Sequence, residues 1–198
     1  MKASHAFDAI LKRKSVAPRK LAAPGPRFDE IERLAQAAAA APDHGLLRPA
    51  RLLLIQDKDR DELAKVFELA ALELDQNISA EMLRRETERA HHAPTLIAII
   101  ARIQPDHAIV SAIDQWISVG ASIQNILLTA EDLGFHAMIV SGKKVGTHAL
   151  RHAFKLSVNE HFVGFIAIGT RDEIQKEVHR KIVEDTLEAW VPAEAYPV

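Results

Sequence analysis

The sequence contains no cysteine among its 198 residues. This absence excludes disulfide bonds, thiolate nucleophiles, and zinc or iron–sulfur centres held by cysteine. Ten histidines remain as possible metal ligands, and His148 and His152 stand four residues apart, where two imidazoles on one helix could share an ion. Because no H-E-x-x-H pattern accompanies them, we expect surface histidines and no metal site.

The glycine motifs of nucleotide-binding and acyl-transfer enzymes are also missing. The chain has no G-x-G-x-x-G, and residues 142–147, G-K-K-V-G-T, do not fit the Walker pattern, whose lysine follows the second glycine. A G-x-S-x-G nucleophile elbow is absent as well. The sequence therefore lacks the essential parts of the common hydrolases and phosphotransferases.

Long apolar runs and an excess of one charge are lacking too. The longest uninterrupted apolar run, 96–101, is far shorter than the roughly 20 residues that span a bilayer. The N-terminus does not have the apolar core and small-residue cleavage site of a signal peptide. A formal net charge of -2 excludes the global basic field that would hold nucleic acid. We therefore expect a cytoplasmic protein that binds neither membranes nor nucleic acid.

The chain has the composition and the element pattern of one globular domain. It is 48% hydrophobic and 26% charged, close to the average for soluble proteins. Apolar runs predict four strands at 51–56, 95–103, 136–141 and 162–169, the first of them buried on both faces. Helical spacing predicts helices between them, at 28–41, 57–76, 79–92, 109–133 and 147–154. This order indicates an α/β or α+β domain over residues 1–198 with a mixed sheet, and residues 171–198 form a C-terminal arm.

The longest predicted helix, 109–133, carries apolar side chains around much of its circumference. Its small and apolar positions include Trp116, Val119, Gly120, Ile123, Ile126, Leu127 and Ala130. Gly134 is well placed to end the helix. Such a helix is buried on more than one side. Burial inside a single domain and burial at a subunit interface both satisfy the pattern.

Three short polar segments stand out as candidates for a ligand site. Residues 13–15 and 141–143 each combine cations with a hydroxyl, as phosphate binding requires. The first run has an alternative explanation, because cations at a helix C-terminus are favoured by the helix dipole alone. The third segment, 42–44, joins a helix to a strand, where a parallel sheet would hold a ligand. Together the three loops predict a phosphorylated, partly flat cofactor bound by Arg13, Lys14, Ser15, Pro42, Asp43, His44, Ser141, Gly142 and Lys143.

These segments resemble, in the right order, those of the flavin mononucleotide (FMN)-dependent nitroreductase family, most closely its small single-domain branch. Arg13-Lys14-Ser15 matches the family's R-R-S, and residues 41–44 with Pro49 match the branch's A-P-D-H-x-x-x-Q-P-W. Further matches are L-G-F at 133–135, S-G at 141–142, V-G-F at 163–165 and G-T at 169–170. The resemblance spans Ala6 to Thr170.

The resemblance implies an α+β sandwich that forms an intimate homodimer, with the long helix at its centre and two FMN molecules at the interface. Arg13, Lys14 and Ser15 would bind the flavin's phosphate and ribityl chain. Ser141 and Gly142 would lie beside the flavin, and His44 with Asp43 would come from the neighbouring subunit or the opposite side of the same pocket. Residues 130–135 would meet the nicotinamide nucleotide.

The implied activity is NAD(P)H oxidoreduction by a ping-pong scheme, in which a nitroaromatic, a quinone or a similar small acceptor takes the electrons. The cofactor supplies the chemistry, so no catalytic acid–base residue of the protein is expected. Lys14 replaces the second arginine of R-R-S, His136-Ala137 replaces a glycine pair, and Pro18 stands where the family has a further arginine, with Arg19 next. Three positions beside the ring also differ from the branch: Arg48 replaces a Gln, Ala50 replaces a Trp, and Val140 replaces an Arg. Because these positions surround the reactive ring, a flavin carrier or sensor with little turnover is the alternative hypothesis.

Overall fold

A computed structural model of the chain describes residues 5–171 and 188–190. Nearly all of the predicted C-terminal arm, 171–198, lies outside the described residues. None of the helices in the described ranges is both long and apolar enough to cross a membrane. The helices are α1 (His5–Lys12), α2 (Phe28–Ala39), α3 (Arg60–Leu74), α4 (Ala80–Glu88), α5 (Ala112–Asp132) and α6 (His148–Ala153). The strands are β1 (Ala50–Ile55), β2 (Thr95–Arg102), β3 (His136–Val140) and β4 (Glu160–Gly169).

The four strands form one sheet in the order β1-β2-β4-β3, flanked by helices on both faces, which confirms the predicted α+β sandwich. All three strand pairs are antiparallel. Within the described ranges, parallel pairing is confined to an isolated bridge between Ser15 and Ala137. The assumption that loop 42–44 lies at the end of a parallel strand is therefore wrong. An apolar run reads the same in both kinds of sheet, so the sequence pattern could not separate them.

The central strands β2 and β4 carry the core on both faces of the sheet. Because successive side chains of a strand point to opposite faces, Ile97 and Ile99 pack toward α2 and α5, whereas Leu96 and Ala98 pack toward α3 and α6. Strand β1 is an edge strand that pairs with β2, and Leu54 is 40% exposed. The prediction that 51–56 is buried on both faces is therefore wrong.

Helix α5 is tied to the alanine-rich end of α2 by side-chain hydrogen bonds. Ser122 Oγ donates to the carbonyl of Ala38 at 3.0 Å, and Asn125 Nδ2 donates to the carbonyl of Ala37 at 2.9 Å. These carbonyls lie in the last turn of α2, where the amides of Ala40 and Ala41 also donate to them at 3.2 Å, so α5 supplies each with a second donor. The small side chains at 37–41 thus allow α2 and α5 to pack closely.

The opposite face of α5 is apolar, and the described residues of the chain leave it exposed. The α5 apolar stripe consists of Ile113, Trp116 and Ile117, spaced at one helical turn, and its isoleucines are 72% and 63% exposed. Neighbouring residues Ser118, Val119 and Ser122 are buried against the domain. The described residues of one chain therefore do not bury this helix on all sides.

Gly164 permits a close approach of β4 to the end of β3. It lies at a register shift between β2 and β4 and has φ +156°. A Cβ at this position would stand 2.5 Å from the carbonyl oxygen of Val140 and 3.2 Å from the Cβ of Ser141. The absence of a side chain therefore sets the position of the Ser141 loop.

We predict that Gly164→Ala lowers the free energy of unfolding by about 1–3 kcal/mol, because the backbone of β3 must move away. Gly146→Ala is the matched control, since no atom lies within 4 Å of its added Cβ. It should change stability by less than about 0.5 kcal/mol. Urea denaturation measures both variants, and equal effects would contradict this account of Gly164.

Candidate functional site

A cavity of about 690 Å³ lies between α4 and the β3 edge of the sheet. Its volume is in the range of small-molecule sites. Apolar side chains from α3, β2 and β4 form the floor, among them Phe67, Leu96 and Phe165. Polar and charged groups lie around it, namely Arg19, Arg85, Glu88, Arg89, His92, Ser141 and Lys144. A flat ring with polar substituents suits this combination.

Strand β3 brings the predicted segments 13–15 and 141–143 to the same edge of the sheet. Ser15 forms the bridge to Ala137, and the amide of Val16 donates to the Ala137 carbonyl at 3.4 Å. Because this pairing is parallel, residues 17–19 run on beside β3 toward Ser141. Residues 17–19 and Ser141 then line the cavity together.

Arg13 and Ser15 form a local polar group at the end of α1. The amide of Arg13 donates to the carbonyl of Ala9 at 2.9 Å, so Arg13 continues the last turn of the helix. Its Nη1 donates to Ser15 Oγ at 3.4 Å, and the hydroxyl is exposed. This position agrees with the helix-dipole explanation and also presents a cation and a hydroxyl side by side.

The loop after β3 contributes Lys144 to the cavity, although Lys143 was the predicted residue. Lys143 is exposed and does not line the cavity. Lys144 Nζ lies 2.6 Å from Glu86 Oε2 and 4.2 Å from the centre of the Phe67 ring. At the preceding Gly142, φ is +133° and no atom lies within 4 Å of where a Cβ would stand. The loop is thus open at its glycine and anchored at Lys144.

The charge on Lys144 is held at a cost to stability. Burial lowers the pKa of its ammonium, and this effect outweighs the opposite effect of Glu86. Folding therefore favours the uncharged amine. The cost is present at neutral pH and diminishes only as the pH rises through the lowered pKa. A charge kept at such a cost is typical of functional sites.

Sequence reasoning also missed the contribution of α4 and the segment after it. A charged run such as 81–89 is typical of a solvated helix face, yet Arg85, Glu88 and Arg89 line the cavity, as does His92. Burial lowers the pKa of the His92 imidazole, and the positive charge of Arg89 acts in the same direction. No motif marks these residues. Only their position across from β3 brings them to the cavity.

The loop 42–44 lies elsewhere, beside the N-terminal half of α5. Asp43 lines a smaller cavity of about 120 Å³ with Arg48 and Ser118. Its Oδ2 accepts a hydrogen bond of 2.7 Å from the Arg48 amide, which closes the loop on itself. The side chain of His44 is exposed.

The sheet separates this loop from Ser15 within one chain. The start of β1 is level with His161 of β4, whereas Ala137, beside Ser15, is level with Ile168. The offset is roughly 24 Å along the strands and roughly 19 Å across them, so the loops lie on the order of 30 Å apart. The expected convergence of three loops is therefore wrong for a single chain, because β1 and β3 occupy opposite edges of the sheet.

The described part of the chain contains no group of three or more histidine, aspartate or glutamate side chains that could hold a metal ion.

Comparison with known proteins gives a consistent result. The model of the nitroreductase family matches residues 10–170. A Haemophilus influenzae protein, named a candidate NAD(P)H nitroreductase, is 33% identical over 165 residues, which cover 83% of this chain and 88% of that protein.

Solved structures share the fold. A nitroreductase-like family protein from Bacillus cereus superposes with a TM-score of 0.81 at 20% identity, covering 96% of this chain and 97% of its own. A candidate nitroreductase from Desulfovibrio desulfuricans, crystallised in complex with FMN, has a TM-score of 0.70 at 23% identity and covers 96% and 100% of the two chains. At these identities the likeness concerns the fold alone.

We predict that Lys144→Met leaves the free energy of unfolding unchanged or raises it, because methionine keeps the contact with Phe67 and removes a charge that folding disfavours. Glu86→Gln should lower it by about 1–3 kcal/mol, because Lys144 then stays buried without its carboxylate. Urea denaturation of the flavin-free variants at neutral pH measures both effects. A loss in Lys144→Met as large as that in Glu86→Gln would show that the lysine is kept for stability.

Proposed function

The chain belongs to the nitroreductase family, and from this premise we propose that it is an FMN-dependent NAD(P)H oxidoreductase that reduces nitroaromatics, quinones or a similar small acceptor. The observation that carries the proposal is the 690 Å³ cavity beside β3. The predicted flavin residue Ser141 lines it, and the predicted phosphate residues 13–15 lead directly into it.

The residues around the cavity fit a flavin nucleotide. Arg13 and Ser15 offer charge-assisted and hydroxyl hydrogen bonds to a phosphate, with Lys14 between them. The apolar floor that includes Phe67 and Phe165 suits a flat ring, and Gly142 leaves room for one to approach the backbone. We assign the phosphate and ribityl chain to residues 13–15 and the ring to the Ser141–Gly142 side.

Bound FMN would accept a hydride from NAD(P)H and pass two electrons on to the acceptor. A quinone that takes these electrons also takes two protons and becomes a hydroquinone. The protein would bind and orient the flavin and the two substrates, and it would supply charge. The Lys144 ammonium, held by Glu86, places a positive charge in the cavity wall. No protein side chain is required to react.

We further propose that the site is completed by a second copy of the chain. Loop 42–44 lies too far from Ser15 to share one cavity with it inside a subunit. The α5 apolar stripe ends near this loop, because Gly45 packs against Val110 just before the helix. A homodimer built on the stripe would bury its isoleucines and bring the partner's loop 42–44 to the cavity.

A flavin carrier or sensor with little turnover is the second candidate. It is favoured by Val140, which lines the cavity where the family branch has an arginine. The two functions separate in one experiment, the addition of NADPH to the FMN-loaded protein without oxygen. An enzyme should lose the yellow colour of oxidised flavin rapidly, and a carrier should keep it. A protein that takes up no added FMN would exclude both.

We predict that Arg13→Ala weakens FMN binding by about 10- to 150-fold, because a charge-assisted contact with the phosphate is worth about 1.5–3 kcal/mol. Lys12→Ala removes the adjacent exposed cation at the end of α1 and serves as the control. Fluorescence titration of flavin-free protein with FMN measures both affinities. Equal affinities in the two variants would remove Arg13 from the site.

We predict that Ile117→Glu shifts the protein from a homodimer to a monomer, because a charge replaces the centre of the α5 apolar stripe. Leu69→Glu is the matched control, since Leu69 is 59% exposed, against 63% for Ile117, and lies on α3 at the other face of the sheet. Light scattering should give twice the 21.9 kDa chain mass for the control and one chain mass for Ile117→Glu. A monomeric wild-type protein would refute the dimer.

A further inference from the structure

The wall of the 690 Å³ cavity is cationic, although the whole chain has a formal net charge of -2. The cavity is lined by the cations Arg19, Arg85, Arg89 and Lys144, and by a single carboxylate, that of Glu88. An apolar floor beneath these groups strengthens their field, because it lowers the local dielectric constant. The cavity therefore attracts anions in a protein that otherwise repels them.

The ion pairs in the wall do not cancel this charge. Arg85 is paired with Glu81, and Glu88 is paired with Arg84. Glu86 is shared: one oxygen lies 2.6 Å from Lys144 Nζ, and the other lies 3.1 Å from Arg89 Nη2. One carboxylate thus faces two cations.

Arg19 adds a further cation on the opposite side of the cavity. It belongs to the turn Pro18–Lys20, its side chain is exposed, and it makes no ion pair within the described ranges. Arg19 also lies close enough to His92 for its charge to lower the pKa of that imidazole, after the larger effects of burial and of Arg89. Two guanidinium groups and the His92 imidazole thus lie around one corner of the cavity.

The proposed flavin phosphate does not account for this corner. That phosphate is assigned to residues 13–15, and none of these lines the cavity. The oxidised flavin ring carries no net charge. Arg19, and Arg89, which shares Glu86 with Lys144, can therefore bind the anionic group of a second ligand.

We propose that the electron acceptor of this protein is an aromatic compound bearing a carboxylate, whose ring lies over the apolar part of the cavity and whose carboxylate binds at Arg19 and Arg89. The inference rests on the proposed function, because it names the substrate class of that site. Guanidinium groups suit this role, since their planar donors bind carboxylates in pairs. The carboxylate form should therefore bind at least about tenfold more tightly than an uncharged analogue of the same shape.

The test uses the full chain, loaded with FMN and left oxidised, and two ligands of nearly equal size. 4-Nitrobenzoate carries the carboxylate, and 4-nitrobenzamide replaces it with an uncharged amide. Calorimetry gives both dissociation constants, and initial rates with NADPH give kcat/KM for both. We expect the wild type to prefer nitrobenzoate by tenfold or more, and the preference to shrink as salt is raised.

The variant Arg19→Gln should reduce the preference for nitrobenzoate to less than about threefold, because one of the two guanidinium groups is gone. Lys20→Gln is the matched control: Lys20 is the adjacent exposed cation and does not line the cavity. It should keep the wild-type preference. Melting temperatures of the two variants check that both are folded.

Equal affinity of the wild type for the two ligands would overturn the inference. A preference for nitrobenzoate that persists in Arg19→Gln would also overturn it. If that variant loses FMN and keeps the preference, Arg19 binds the cofactor and not the substrate. Failure of the proposed function is a separate result. A wild type that takes up no FMN rejects that function, whereas calorimetry on the flavin-free protein still decides whether the cavity selects carboxylates.

Discussion

The antiparallel pairing of β4 with β2 and β3 is the constraint on which the rest of this structure depends. It sets β1 and β3 at opposite edges of the sheet, and its register places Ser15 and Asp43 near opposite corners. The cavity forms at one corner, next to β3, and loop 42–44, which matches the motif of the family branch, lies at the other. A single chain therefore holds the residues of the proposed site in two separate places, and the exposed α5 apolar stripe offers the surface through which a second chain would join them.

The charges in the cavity wall indicate a ligand site, as the size of the cavity does. The Lys144 ammonium is kept charged against burial, and Glu86 divides its charge between Lys144 and Arg89. Neither arrangement is the most stable one available, because an apolar side chain could replace the lysine without leaving a group unpaired. Charges held in this way are expected where a ligand, absent during folding, completes the pairing.

The sequence predicted the elements well and their arrangement less well. Helix α5 is long and ends before Gly134, and strand β2 is a continuous apolar run, so their predicted bounds differ from the observed ones by a few residues at most. Strand direction could not be predicted, because the apolar run of β1 looks alike in parallel and antiparallel sheets. Lys144 was missed in favour of Lys143, since which of two adjacent lysines turns inward depends on contacts with Glu86 and Phe67. Arg85 and Arg89 were missed because a charged helix usually faces only solvent.

The central claim is that flavin is bound by two chains together. Sedimentation velocity of the FMN-loaded protein, recorded at 280 nm for protein and at 450 nm for flavin, tests it directly. The account predicts that all bound flavin absorbance moves with a species of twice the 21.9 kDa chain mass. Flavin that sediments with a single chain, or a dimer that carries none, would contradict it.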